Sequence, residues 1–226
     1  MLDLISFTTR SIEKDLKKMS LKFPSENKKV QEKVEKMKFP FFNKAFYDFI
    51  KKNNKLPSQT EFFNHYLSVN SEKKINFKNK KNKLKDIPSD YRNALKVRLF
   101  KRVYPSLVRD IHFNVLFSET SLFENKFSFE LDNKLGIDSL INNKFAVHLF
   151  FYSRSSNFYR NKKKKYRHNY YDNQFTNIEL PINPFGFDIY FSDFDFSGKE
   201  VGQFYLYSED EINYLEEEIL NLEDTI

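Results

Sequence analysis

The sequence predicts an α+β (mixed α/β) architecture: an N-terminal helical module followed by a mixed-sheet domain flanked by helices. Three observations carry this. Apolar residues recur at helical spacing from Ser11 to Phe117, the rhythm shortens to two from Phe127, and there the punctuation turns to Asn and Gly. With 40% hydrophobic and 18% aromatic residues in 226, the chain can fill a packed core, and 27 Phe and 13 Tyr supply most of its bulk. Only 4 Gly and 7 Pro exclude collagen-like and low-complexity classes.

The elements follow in order. Ile12, Leu16 and Met19 mark an amphipathic helix, and Pro24-Ser25 opens a second. Phe42, Phe46, Phe49 and Ile50 line one face of a third helix. A fourth begins at Pro57-Ser58, where Glu61 stands three residues after Ser58 as a capping box requires. This pair is open to two readings, a helix-turn-helix for a major groove or plain packing. Residues 71–86, rich in Lys and Asn, have too little apolar surface to fold alone and are read as a basic linker. From Tyr91 to Phe117 apolar residues recur every four positions, with Pro105 expected to kink or split the helix. Strands are predicted at Phe127–Leu131, Leu135–Ile141, Phe145–Tyr152, Asn177–Ile182 and Gln203–Tyr207. A basic segment from Ser155 to His168 reads as at least partly helical, and Glu209–Leu222 as a closing helix. The expected organisation is a helical module over 1–70, the linker over 71–89 and a mixed-sheet domain over 90–226.

The absence of Cys removes disulfides, thiolate nucleophiles and Cys-ligated metals. No apolar run of membrane-spanning length occurs, and Asp3 interrupts the N-terminus, so a cytoplasmic protein without membrane association is expected. Charge is divided unevenly. From Asp188 onward twelve acids face Lys199 alone, which leaves residues 1–187 with a balance of +18 out of the net +7. So basic a body attracts polyanions, and nucleic acid is the leading partner. The acidic end is read either as a solvated helix face or as a shield for the basic surface. His65, His112, His148 and His168 are scattered, and there is no glycine-rich phosphate loop and no nucleophile elbow. Nucleotide-driven motors and zinc hydrolases are thereby excluded.

The order helix, three meandering strands, helix, strand over roughly residues 90–208 resembles the restriction-endonuclease-like, or PD-(D/E)XK, nuclease core. Gly136-Ile137-Asp138 stands where that family often carries the step whose Asp binds Mg²⁺. The acid-x-Lys pair expected on the next strand is missing, since Val147-His148-Leu149-Phe150 takes its place. The resemblance implies a Mg²⁺-dependent endodeoxyribonuclease of a defence (restriction) or mobile-element system, acting on double-stranded DNA as a homodimer or within a larger assembly.

Hydrolysis of a phosphodiester uses a hard cation held by carboxylates and a basic group that orients water. Asp138 supplies one metal ligand, Glu130 is the second candidate, and Asp110 and Glu119 lie within reach on the preceding helix. His148 is a candidate base in place of the missing acid. Arg154 is a candidate phosphate contact that cannot act as a base. Each also has a structural reading: a turn cap for Asp138, a core histidine for His148, a solvent-facing strand residue for Glu130 and helix-start chemistry for Arg154.

The strongest local signal is the acid-free stretch beginning at Arg154. Arg160, Lys162, Lys163, Lys164, Lys165, Arg167 and His168 are interleaved with aromatics that include Tyr159 and Tyr166. Cations for phosphates and rings for exposed bases make it a candidate nucleic-acid clamp. Two other readings keep the basic surface without the chemistry: a non-catalytic nucleic-acid-binding subunit of a nucleoprotein assembly, and an RNA-binding accessory protein.

Overall fold

The structure, a computed structural model, describes residues 7–25, 27–77, 80–152, 174–186 and 192–224. The fold is mixed α/β, as the sequence predicts, with a helical first part and a mixed sheet. It forms two compact units, one of residues 18–108 and the other of residues 1–17 with 109–226. This division differs from the one expected at the basic segment. Among the described residues no helix is long and apolar enough to cross a membrane.

The unit of residues 18–108 holds helices α2 (Lys28–Glu35), α3 (Phe42–Asn53), α4 (Gln59–Asn70) and α5 (Ser89–Arg98), and the two-stranded hairpin β1 (Lys74–Phe77) and β2 (Lys80–Lys83). The predicted capping box is present at α4: the Glu61 N–H donates to Ser58 Oγ at 3.2 Å and the Ser58 N–H to Glu61 Oε2 at 2.8 Å. Phe46 is the hub of an aromatic core, edge-on to Phe62 at 5.1 Å and to Tyr104 at 6.0 Å. Residues 71–86 are not a linker. Ile75, Leu84 and Ile87 bury their side chains, and this anchorage gives a lysine-rich stretch a folded hairpin.

The long helix expected from Tyr91 to Phe117 runs from Ser89 to Thr120 with an interruption. A π-helical turn at Leu99–Val103 separates α5 from α6 (Tyr104–Thr120). The cause is Pro105, which has no N–H to give the preceding turn. In the widened turn the Tyr104 N–H reaches Leu99 O, and Phe100 O is left facing the proline. Gln59 fills the vacancy: its Nε2 donates to Phe100 O at 3.2 Å while its Oε1 accepts the Lys22 N–H at 2.8 Å.

The second unit is built on a four-stranded sheet, β3 (Asn125–Lys126), β4 (Ser139–Ile141), β5 (Phe145–Phe151) and β6 (Thr176–Ile182), in that spatial order. The β3–β4 and β4–β5 pairs are antiparallel and β5–β6 is parallel. Pro181 is tolerated because β6 is an edge of this sheet. One face carries Phe145, Val147, Leu149, Leu180 and Ile182 into a core shared with Phe113 and Phe117 of α6 and with Ile212, Leu215 and Ile219 of helix α7 (Glu209–Glu223). A small hairpin, β7 (Lys199–Val201) with β8 (Phe204–Leu206), precedes α7. The strand predicted at Phe127–Leu131 is instead a helical turn. Ser128 Oγ accepts the Leu131 N–H, a π turn runs over Leu131–Leu135, and Gly136 ends it at φ 68°. Alternating Phe127, Phe129 and Leu131 imitated a strand, but local capping by Ser128 prevailed.

Helix α1 (Thr9–Lys18) is fastened within this second unit by a hydrogen-bonded trio. His112, fully buried on α6, donates from Nε2 to Glu13 Oε1 at 3.1 Å, and Lys199 Nζ reaches the same oxygen at 2.5 Å. Burial holds His112 down to about 4, against the pull of Glu13. Glu13 is itself lowered, because hydrogen bonds from Lys199 and His112 outweigh its partial burial. Close approach completes the docking, since a Cβ at Gly202 would lie 2.8 Å from Leu16 O.

Two outcomes follow. Gln59→Leu leaves Phe100 O buried without its donor and should cost about 1–3 kcal/mol in denaturant unfolding, whereas Lys29→Leu at an exposed position of α2 should cost far less. For His112 the unfolded chain binds a proton near its ordinary 6.5 and the folded chain only near 4. Stability present at neutral pH is therefore lost as pH falls through that window, by about 2 kcal/mol between pH 7 and pH 5. Urea midpoints at the two pH values should show the loss, and His112→Gln should reduce it.

Candidate functional site

The site is built where α6 crosses the start of β4. After the left-handed turn at Gly136 the chain enters the sheet, and the Asp138 N–H donates to Val147 O at 3.0 Å. Asp138 Oδ2 accepts the Leu149 N–H at 2.8 Å, so its carboxylate is fixed by the backbone of β5. Asn114, buried on α6, donates from Nδ2 to Asp110 O at 2.8 Å and to Asp138 O at 3.3 Å, and thereby ties the helix to the strand. Asn125 Nδ2 in turn donates to Asn114 Oδ1 at 3.2 Å.

One turn before Asn114 stands Asp110, only 7% exposed, whose Oδ1 has no hydrogen-bond partner among the described residues. Burial drives its carboxyl well above the ordinary carboxylate range, and the negative charges of Asp138 and Asp132 push in the same direction. Arg109 opposes them, but its Nε is 3.9 Å from Asp110 Oδ1, beyond hydrogen-bond reach, and its guanidinium lies 6.0 Å from the Phe151 ring centroid. Tyr207 belongs to the same surroundings. Its hydroxyl donates to Leu180 O at 2.7 Å and accepts the Phe150 N–H at 3.1 Å, and burial raises its pKa.

The residues expected at the site are distributed as follows. Asp138 is at its centre, with Asp110 the acid of the preceding helix that joins it. Glu130 lies exposed on the helical turn, and Asp132 rather than Glu130 is the acid of that turn whose charge reaches Asp110. His148 has both ring nitrogens engaged, Nδ1 donating to Gly136 O at 2.8 Å and Nε2 facing the Asn177 amide at 2.9 Å. It ties the turn before β4 to β6. Glu119 is drawn to the start of α1, where both its oxygens accept the Thr9 N–H at 3.1 Å. Arg154, Tyr159, Arg160, Lys162, Lys163, Lys164, Lys165, Tyr166, Arg167 and His168 lie outside the described residues.

Arg109 is a residue the sequence did not mark, because it is one of six cations spread along the Tyr91–Phe117 segment. It is 6% exposed. Its sequence signal was the adjacent acid on an otherwise apolar face, since a buried cation needs such company.

The magnesium ion implied by the sequence resemblance can be tested against these residues. Among the described residues no group of three His, Asp or Glu side chains is gathered for a metal. Mg²⁺ needs fewer, being held commonly through one or two carboxylates with water and substrate phosphate completing its shell. The chemistry of Asp110 and Asp138 suits such a shell: both are hard oxygen donors, one has a buried oxygen without a hydrogen bond among the described residues, and each raises the cost of the other's charge. By contrast, a cavity of about 310 Å³ beside α7 is lined by Asp195, Asp210 and Glu217, a negative wall that repels a phosphodiester. No protein-family model, no curated protein and no solved structure matches the chain.

The buried acid gives a stability prediction whose sign is fixed. A carboxyl raised in the folded state costs stability once pH exceeds its unfolded value of 3.8, and the cost grows until pH passes the folded value. Asp110→Asn removes the ionisation and keeps the shape. It should raise the melting temperature at neutral pH by at least about 2 °C and leave it nearly unchanged in acid. A lower melting temperature at neutral pH would show that the carboxylate is satisfied.

Proposed function

We propose that the chain is a metal-dependent endodeoxyribonuclease whose centre is formed by Asp110 and Asp138. The observation that carries this reading is the buried Asp110 oxygen without a hydrogen bond among the described residues, held beside a second carboxylate at the start of β4. A bound Mg²⁺ supplies Lewis acidity toward the phosphorus oxygens and a more acidic water. The chain's own part is to hold the two carboxylates still. Asn114 fixes the backbone carbonyls on either side, the Leu149 N–H orients Asp138, and Arg109 provides positive charge for a phosphate from within the protein.

The strand order supports the same reading. Three antiparallel strands follow helix α6 and a fourth lies parallel to the third, an order compatible with the resemblance to restriction-endonuclease-like enzymes. Double-stranded DNA is the proposed substrate and the cytoplasm the proposed location. One observation favours a second reading, a DNA-binding subunit without chemistry: β5 carries no acid or lysine, and His148 is committed to hydrogen bonds on both sides.

The two readings part in one experiment. Supercoiled and linear DNA are incubated with the protein in Mg²⁺, in Mn²⁺ and in EDTA, beside Asp138→Ala and Asp110→Asn. The nuclease reading predicts cutting that needs the metal and falls below detection in both variants, with DNA retention in a gel unchanged. Retention without cutting under any metal supports the binding subunit.

A further inference from the structure

Residues 71–86 carry seven lysines against Glu72 and Asp86, and the strands β1 and β2 arrange their own residues by a simple rule. Cross-strand partners share a face of a two-stranded ribbon, and successive residues alternate between faces. The register pairs Lys74 with Lys83 and Asn76 with Lys81, so these four side chains occupy one face. Ile75, paired with Asn82, lies on the other and is buried. The apolar anchor thus points into the protein, and the face of Lys74, Asn76, Lys81 and Lys83 is turned away from it, Lys74, Asn76 and Lys81 being exposed.

This face is held against its own electrostatics. Lys74 and Lys83 stand directly opposite, an arrangement that destabilises a strand pair. Glu72 offsets part of it by binding both Lys83 and Lys85 at 2.5 Å. Among the described residues no acid pairs with Lys74 or Lys81. The ribbon's footing is firm: Leu84 N–H donates to Lys73 O, Lys85 N–H to Ser71 O, and Arg92 Nη2 on α5 to Lys85 O at 2.8 Å.

We infer that the exposed face of β1–β2 is a docking surface for duplex DNA, seated in the major groove with Lys74, Lys81 and Lys83 on phosphates and Asn76 toward the base edges. The charge is complementary, and the repulsion between facing lysines is relieved by phosphate. A two-stranded ribbon fits the major groove of B-DNA, whereas the major groove of A-form RNA is too deep and narrow to be read by side chains. The face offers no ring on which an unpaired base could stack, which separates it from single-strand platforms. The inference deepens the proposed function by naming the surface that takes the duplex.

The test uses the full chain and a short fluorescent duplex in EDTA, so that binding is read without cutting. Lys74→Gln with Lys81→Gln should make the slope of log affinity against log salt shallower by roughly 2. The same double variant should melt no lower than the parent, because it removes like-charge repulsion. Lys51→Gln with Lys52→Gln, an equal loss of exposed charge on α3, should leave the slope as it was. A hairpin variant with the parent's slope, or a control that loses as much, overturns the assignment, as does tighter binding of single-stranded RNA than of the duplex. Binding that depends on the hairpin while no metal yields cutting would uphold this inference and sink the nuclease reading.

Discussion

A carboxylate buried beside another carboxylate is the constraint around which the sheet-bearing unit is organised. Among the described residues one oxygen of Asp110 is taken out of water without a hydrogen bond, a loss of about 1–3 kcal/mol in a typical interior. The neighbourhood makes this tolerable by fixing everything else. Asn114 locks helix to strand, Asn125 locks Asn114, and Asp138 is held by β5. Beneath them lies the continuous core of α6, β5, β6 and α7, which supplies the stability that the acid pair withdraws. Proteins retain such costs where chemistry needs them, and neighbouring groups with strongly shifted protonation are what active centres require.

Two buried ionisable groups on one helix act in opposite senses. His112 is kept neutral and loses stability for the unit as acid is added; Asp110 resists ionisation and loses stability as acid is removed. They are two residues apart on α6, yet their partners differ. His112 faces Glu13 and Lys199, which fasten α1, and Asp110 faces the start of β4. One side of the helix is thus built for attachment, and the other carries an acid whose ionisation the interior resists.

Much of the fold was legible in the sequence, and the exceptions have specific causes. The Ser58–Glu61 capping box, the buried central strand at Phe145–Phe151, the strand after Thr176 and the closing helix from Glu209 are all found. Pro105 correctly signalled an interruption, but the compensating donor, Gln59, comes from 41 residues away and no local pattern marks it. Phe127 to Leu131 alternates like a strand, and a single Ser128 hydroxyl turns it helical. The lysine-rich hairpin was hidden because three apolar anchors, Ile75, Leu84 and Ile87, suffice to hold it. At the site, Asp138 was visible through its Gly-Ile-Asp step. The partnership with Asp110 and the burial of Arg109 depend on which face of α6 turns inward, and that is set by tertiary packing.

The central claim is that Asp110 and Asp138 together form a cation site. Calorimetric titration of Mg²⁺ or Mn²⁺ into the protein at several weakly acidic pH values, in buffers of different ionisation enthalpy, tests it without DNA or turnover. Cation binding must displace the proton that burial keeps on Asp110, so the account predicts proton release that grows as pH falls and disappears in Asp110→Asn. Binding with the same affinity and no proton release across that range, or equal binding by the Asp110→Asn and Asp138→Ala proteins, would contradict it.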